Sequence, residues 1–253
     1  MFTSSITVSL LLASLGAILG SFLATLVVRW PEDRSVLTGR SACDSCGRTL
    51  VSRELIPLVS ALASRGRCRS CGARIDSVHW RIELACALVG LSAGLIAPDW
   101  RQALAGGVFG WLLVTLAALD WRAFWLPDRI TAALALAGVA SGAAGLAPEP
   151  LDRLIGGAGG FAGLWLIARG YRLLRGRDGM GGGDPKLFGA IGLWLGWRML
   201  PSVLLIAGLA GLGGVLFRRL TGRPVARDDA LPLGALLAAA AYPAWLVMVG
   251  LAL

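Results

Sequence analysis

Apolar residues fall in blocks along this chain. Eight stand out, at about residues 4–28, 83–97, 102–119, 129–147, 154–168 and 186–197, then from Pro201 to just before Arg218-Arg219, and finally 231–252. Blocks this apolar read as membrane-spanning helices, each needing about 20 residues to cross hydrocarbon. Several are shorter, so their ends are set only to within several residues. Prolines mark the breaks: Pro31 after the first block, Pro98 after the second, Pro148 and Pro150 between the fourth and fifth. Residues 29–82 are the only long polar stretch. The pattern predicts an all-α polytopic membrane protein of about eight transmembrane helices carrying one small loop domain.

Composition and charge refine this picture. Charged residues make up 15% of the chain, against about 25% in soluble domains. The net charge of +9 would suggest nucleic acid in a soluble protein. Here it has a simpler origin, because Lys and Arg collect in cytoplasmic loops. Eight arginines lie between Arg34 and Arg74, four more at Arg169, Arg172, Arg175 and Arg177, and four at Arg218, Arg219, Arg223 and Arg227. The intervening loops hold only Arg101, Arg153 and Arg198. That alternation predicts both termini outside and residues 29–82 in the cytoplasm, with no nucleic-acid partner. The first block lacks a basic leading region and is followed by Arg29, which predicts a retained span (residues 1–28) rather than a cleaved signal. The many glycines within blocks, such as Gly156 to Gly160 and Gly208 to Gly214, suit close helix packing.

The polar loop carries Cys43-x-x-Cys46 and Cys68-x-x-Cys71, with 21 residues (47–67) between the pairs. Gly47 and Gly72 follow the pairs, where a tight turn around a metal wants glycine. Four thiolates suit a structural, tetrahedral zinc, and a disulfide is disfavoured in a cytoplasmic loop. Residues 29–82 are therefore predicted to be a zinc-binding domain, folded by its metal because it is too small to hold a core. Cys86, alone in an apolar block, reads as a packing residue. His79, the only histidine, reads as a loop-end residue, with a fifth ligand or a base as alternatives.

Acids are scarce in the rest of the chain, 83–253, and two stand apart. Asp120 ends the third block. Asp184 follows Gly179, Gly181, Gly182 and Gly183 and precedes Pro185 and Lys186 at the start of the sixth. A carboxylate adjoining apolar helix is costly and marks a functional site. The predicted topology places both on the cytoplasmic side. Two carboxylates brought together share a proton, and such a pair can activate water and protonate a leaving amine. A proton- or ion-carrying pair is the alternative at this stage. Other acids have plainer readings: Asp99 and Asp128 as helix caps, Glu149 and Asp152 in an outside loop, Asp228 and Asp229 solvated, Glu83 paired with Arg81 or Arg129.

These residues resemble a known family. Gly181-Gly182-Gly183-Asp184, flanked by Gly179-Met180 and Lys186-Leu187, resembles the Gly-x-Gly-Asp motif of the type IV prepilin peptidases (leader peptidase and N-methyltransferase), and Asp120 matches the first aspartate of that family. Gly20-Ser21-Phe22-Leu23, Arg29-Trp30-Pro31, Arg40-Ser41-x-Cys43, Ile56 to Ser60, Arg65 to Cys68 and Glu83-Leu84 are similar to its N-terminal segments, in order. Ala24, Asp44 and Ser77-Val78-His79 depart from it. The resemblance implies an inner-membrane aspartic endopeptidase, residues 83–253 being its peptidase domain, that removes the short basic leader of type IV prepilins or of type II secretion pseudopilins. It implies Asp120 and Asp184 as the catalytic pair, Gly181, Gly183 and Lys186 as the surrounding motif, and Cys43, Cys46, Cys68 and Cys71 as zinc ligands. It also implies N-methylation of the new terminus from S-adenosylmethionine, without indicating which residues hold that donor. A proton-coupled transporter built on the same aspartates is the rival reading.

Overall fold

The computed structural model describes residues 2–36, 40–222 and 230–251, with side chains from residue 5 onward. Arg223, Arg227, Asp228 and Asp229 lie outside the described residues. Every long element is a helix: α1 Phe2–Arg29, α2 Val59–Ala63, α3 Val78–Ile96, α4 Trp100–Ala123, α5 Asp128–Ala143, α6 Pro150–Arg175, α7 Gly183–Leu220 and α8 Leu233–Gly250. α1, α3, α4, α7 and α8 are long and apolar enough to cross a membrane. Large apolar side chains such as Leu11, Leu88, Leu205 and Leu212 face outward on them, as suits a lipid environment.

The chain divides into two compact units, Met1–Thr115 and Leu116–Leu253. In the first, α1 lies along α3 at a separation that only small residues allow. A Cβ added to Gly90 would sit 2.1 Å from the Leu12 carbonyl oxygen, and one on Gly16 2.2 Å from that of Cys86. The same Cys86 carbonyl accepts the Trp111 indole N–H at 2.9 Å. Cys86 itself is fully buried packing, as expected. Asp99 caps α4, its Oδ1 accepting the N–H groups of Arg101 and Gln102 at 2.8 and 3.0 Å.

The second unit is built from the end of α4 and from α5 to α8. Here α6 and α7 meet backbone to backbone: a Cβ on Gly192 would lie 2.2 Å from the Gly156 carbonyl oxygen. α7 is not one straight rod. Gly196, with φ 70 and ψ 174, interrupts it, so the sixth and seventh apolar blocks are two helical segments parted at Gly196 rather than at Pro201. Glycine is what permits that φ. The eight apolar blocks thus appear as eight helical segments. Their ends moved where polar residues continue a helix: α6 starts at Pro150 and runs to Arg175, well beyond 154–168, and α4 continues three residues past Asp120.

Arg153, taken from sequence as an outside loop charge, is buried inside α6 at 4% exposure. Its guanidinium donates to six acceptors: the carbonyls of Gly138, Leu146, Ala147, Pro148 and Leu193, and Ser141 Oγ. It gathers the end of α5, the following connection and the turn of α7 that precedes the Gly196 break. The carbonyls left free at a helix end find their partner in one side chain.

The α6–α7 contact yields a test. Gly192→Ala should destabilise the protein by about 1–3 kcal/mol through overpacking, read as a lower thermal midpoint in detergent. Gly159→Ala, where an added Cβ meets nothing within 4 Å, should leave the midpoint unchanged or raise it.

Candidate functional site

Four segments of the second unit converge on the two aspartates. Asp120 sits in the last turn of α4 and is 5% exposed; Asp184, the second residue of α7, is 6% exposed. The first four N–H groups of a helix lack partners within it. Asp120 exploits this at α8, where its Oδ2 accepts the Ala235 N–H at 2.8 Å. Asp184 reaches back over its own glycine turn, Oδ2 accepting the Gly181 N–H at 3.1 Å. The Gly234 N–H lies near both carboxylates, and the charge of Asp120 acts on Asp184. Two helix starts, α7 and α8, thus turn their positive ends toward a pair of acids. Oδ1 of each aspartate accepts no hydrogen bond from the described residues.

Backbone closeness holds the pair in place. Leu126, in the connection between α4 and α5, wedges between Gly183 and Gly234. A Cβ on Gly183 would lie 2.8 Å from Leu126 Cβ, and one on Gly234 would lie 2.7 Å from Leu126 Cδ1 and 3.0 Å from Asp120 Oδ2. Gly183 therefore serves close approach. Gly181 offers the backbone donor, and a side chain there would crowd Asp184 Oδ2 at 3.2 Å. Lys186 points elsewhere: its Nζ donates to Asp128 Oδ1 at 2.7 Å on the surface. Asp128 accordingly does not cap α5, whose cap position is Pro127 and carries no side-chain hydrogen bond. Gly234 and Ala235 were not singled out from sequence. The available signal was Pro232 just ahead of an apolar helix beginning with glycine.

In the first unit the four expected cysteines come together. Their sulfurs all lie within 4.8 Å of one another, and Cys43 Sγ is 3.9 Å from Cys71 Sγ. A tetrahedron with arms of about 2.3 Å has edges of about 3.8 Å, so the donor set fits a thiolate-bound metal such as zinc. The two knuckles repeat one geometry. Gly47 N–H bonds the Cys43 carbonyl and Gly72 N–H bonds the Cys68 carbonyl, each at 2.9 Å, with φ of 69 and 71 at the glycines. The N–H groups of Cys71 and Ser70 pull the Cys68 thiol down to about 6, and those of Cys46 and Ser45 lower Cys43. The neighbouring Cys71 thiol is pushed up, to about 11, by its burial and by the other sulfurs, and a bound metal would hold all four as thiolates. His79 is not part of the group. Glu83 does not pair with Arg81, which lies over the Trp80 ring; its Oε2 accepts the Leu58 N–H at 2.8 Å.

Comparison with known proteins divides along similar lines. Residues 14–96 match the bacterial peptidase A24 N-terminal domain and residues 107–216 match the type IV leader peptidase family. A prepilin leader peptidase/N-methyltransferase from Burkholderia pseudomallei is 36% identical over 252 residues, covering 89% of this chain and 81% of the relative. The chain belongs to the type IV leader peptidase family. Proteins of the same description from Aeromonas hydrophila (37% identity, 74% of this chain, 69% of the relative) and Pseudomonas aeruginosa (34%, 92% and 88%) are similar as well. No solved structure matches the chain. The N-terminal match contains all four cysteines, and the family match contains Asp120 and Asp184.

The cysteine geometry makes its own prediction. Cys43→Ser should cut the metal content of purified protein to a small fraction of wild type, read by elemental analysis. Wild-type content in that variant would exclude a four-thiolate site.

Proposed function

We propose that this chain is a prepilin leader peptidase in which Asp120 and Asp184 are the catalytic pair. One observation carries the reading: two buried carboxylates each accept a backbone N–H at a helix start, Asp120 from Ala235 and Asp184 from Gly181, and the charge of Asp120 acts on Asp184. Like charges this close hold one proton between them. The ionised carboxylate takes a proton from a water molecule, which attacks the scissile carbonyl carbon. The protonated carboxylate hydrogen-bonds the carbonyl oxygen as charge develops there. The C–N bond then breaks, the new amine takes a proton from the pair, and the dyad returns to its starting state. Serine, histidine and catalytic metal are not needed. The glycine turn contributes backbone that can approach the substrate closely, with Gly181 and Gly183 shaping it and Lys186 fastening it to α5 through Asp128.

The substrate is a type IV prepilin or pseudopilin, in keeping with the names of the relatives. Its apolar helix would lie in the bilayer beside these helices and offer its basic leader junction at the depth of the aspartates. The arginine alternation supports an inner-membrane protein with both termini outside and residues 29–82, Asp120 and Asp184 facing the cytoplasm. The metal of the four-cysteine domain is read as structural zinc. N-methylation of the new terminus, with S-adenosylmethionine as donor, follows from the second half of the relatives' names. The transport reading of the acid pair gains nothing from these relatives.

Two tests bear on the dyad. Asp120→Asn and Asp184→Asn should each lower cleavage of a co-expressed prepilin by about 10²–10⁴-fold, read by intact mass, with unchanged thermal midpoints. Cleavage at the wild-type rate by either variant overturns the mechanism. Gly234→Val should push Leu126 and the Asp120 carboxylate apart and lower cleavage by about 10²-fold, with Asp120 and Asp184 still present.

A further inference from the structure

The short helix α2 is built the wrong way round for a domain surrounded by water. Ser60, Ala61 and, just beyond the helix, Ser64 turn inward and line a cleft of about 190 Å³ beside the cysteine knuckles. The large apolar residues turn outward: Val59 and Leu62 are exposed, Leu62 at 80%, and so is Ile56 three residues ahead. The Ile56 carbonyl accepts the Ser60 N–H at 3.0 Å, so the helical path already includes it, and a spacing of three puts all three side chains on one face. Small residues inside and apolar ones outside suit an element that meets lipid.

This orientation is held at a cost. Leu58, just ahead of α2, has φ 61 and ψ −47. Across it the Val59 N–H bonds the Pro57 carbonyl at 2.6 Å, a γ-turn of the rare and strained hand. Buried Glu83 fixes the turn, its Oε2 accepting the Leu58 N–H at 2.8 Å. One side chain thus ties α2 to the second turn of α3.

That level is the edge of the lipid-facing surface. Beside Glu83 on α1 lies Gly20, where an added Cβ would meet Glu83 Cα at 2.8 Å. Phe22, just past it, is the last exposed large apolar residue of α1; Leu26, Val27 and Val28 are buried. On α3 the exposed Leu84 and Leu88 follow Glu83, and Trp80 precedes it with the Arg81 guanidinium over its ring. Tryptophan gathers where hydrocarbon gives way to headgroups, and arginine reaches outward there. Exposed arginines also flank the segment, Arg53 before it and Arg65 and Arg67 after it, a charge that draws anionic headgroups.

We infer that Ile56, Val59 and Leu62 are an interfacial anchor, an apolar ridge that inserts into an anionic bilayer surface and holds the cysteine domain against it. Glu83 sets the depth of that ridge. Three side chains fall far short of the roughly 1,200 Å² that a stable protein interface buries. Shallow insertion beside spans that already fix the domain to the membrane asks for no such area. The strain at Leu58 has a use on these terms: it turns the ridge away from the cleft and toward lipid.

The test uses the full-length protein in vesicles of phosphatidylcholine and phosphatidylglycerol, with a trace of phospholipid whose acyl chain carries a diazirine. After irradiation and digestion, mass spectrometry of the wild-type protein should find lipid label within residues 55–63 as well as at Leu88, the reference for a lipid-facing residue. Val59→Glu combined with Leu62→Glu should lower the label in 55–63 by about tenfold or more, while the Leu88 label and the thermal midpoint stay as in wild type. Wild-type protein labelled at Leu88 but not in 55–63 overturns the inference, whether that face is bare or covered by a second copy or another protein. Undiminished label in 55–63 of the double variant overturns it equally.

Discussion

Placing two carboxylates in an apolar helical bundle is the constraint that the second unit is built around. An isolated buried charge is costly, and a pair of like charges adds repulsion. The compensation comes from backbone: the Ala235 N–H on Asp120 and the Gly181 N–H on Asp184, with the Gly234 N–H close to both. These donors belong to helix starts and turns, where N–H groups have no internal partner. The arrangement stabilises negative charge without bringing in a basic side chain. A lysine or arginine at the dyad would hold both acids ionised; Lys186, two residues from Asp184, is instead tied to Asp128 on the surface.

Close backbone approach is the means by which the fold reaches that geometry. Leu126 fills the space between Gly183 and Gly234 so fully that neither could bear a side chain. The same principle recurs along α6 and α7 at Gly156 and Gly192, and in the first unit along α1 and α3 at Gly16 and Gly90. In a membrane, apolar burial gives helices little reason to associate, and intimate packing supplies it. Where helices must end or bend, one side chain can collect the loose carbonyls, as Arg153 does before the Gly196 break.

The cysteine domain solves a different problem. Residues 40–77 contain only short turns, one five-residue helix and two isolated β-bridges, too little to bury a core. Four sulfurs stand at a separation that a metal would bridge, and such a metal would supply the cross-links instead. That economy leaves a polar cleft open beside the knuckles, walled by Arg48 and Glu83.

Much of this was legible in the chain itself. Block hydrophobicity marked the helices because a membrane-crossing helix must be apolar along its length, and Cys43, Cys46, Cys68 and Cys71 were visible because metal knuckles are local in sequence. Asp120 and Asp184 could be picked out as acids against apolar helix. Their pairing was expected from the shared cytoplasmic side and from the family resemblance, but the backbone donors that hold them could not be read, since these depend on how α4, α7 and α8 pack. The donor to Asp120 comes from 115 residues away, and no local pattern links the two. Arg153 was misjudged for the same reason: its charge is local, but the six acceptors that bury it lie on three separate segments. Local chemistry named the groups, and long-range packing of glycine-lined helices decided which of them share a site.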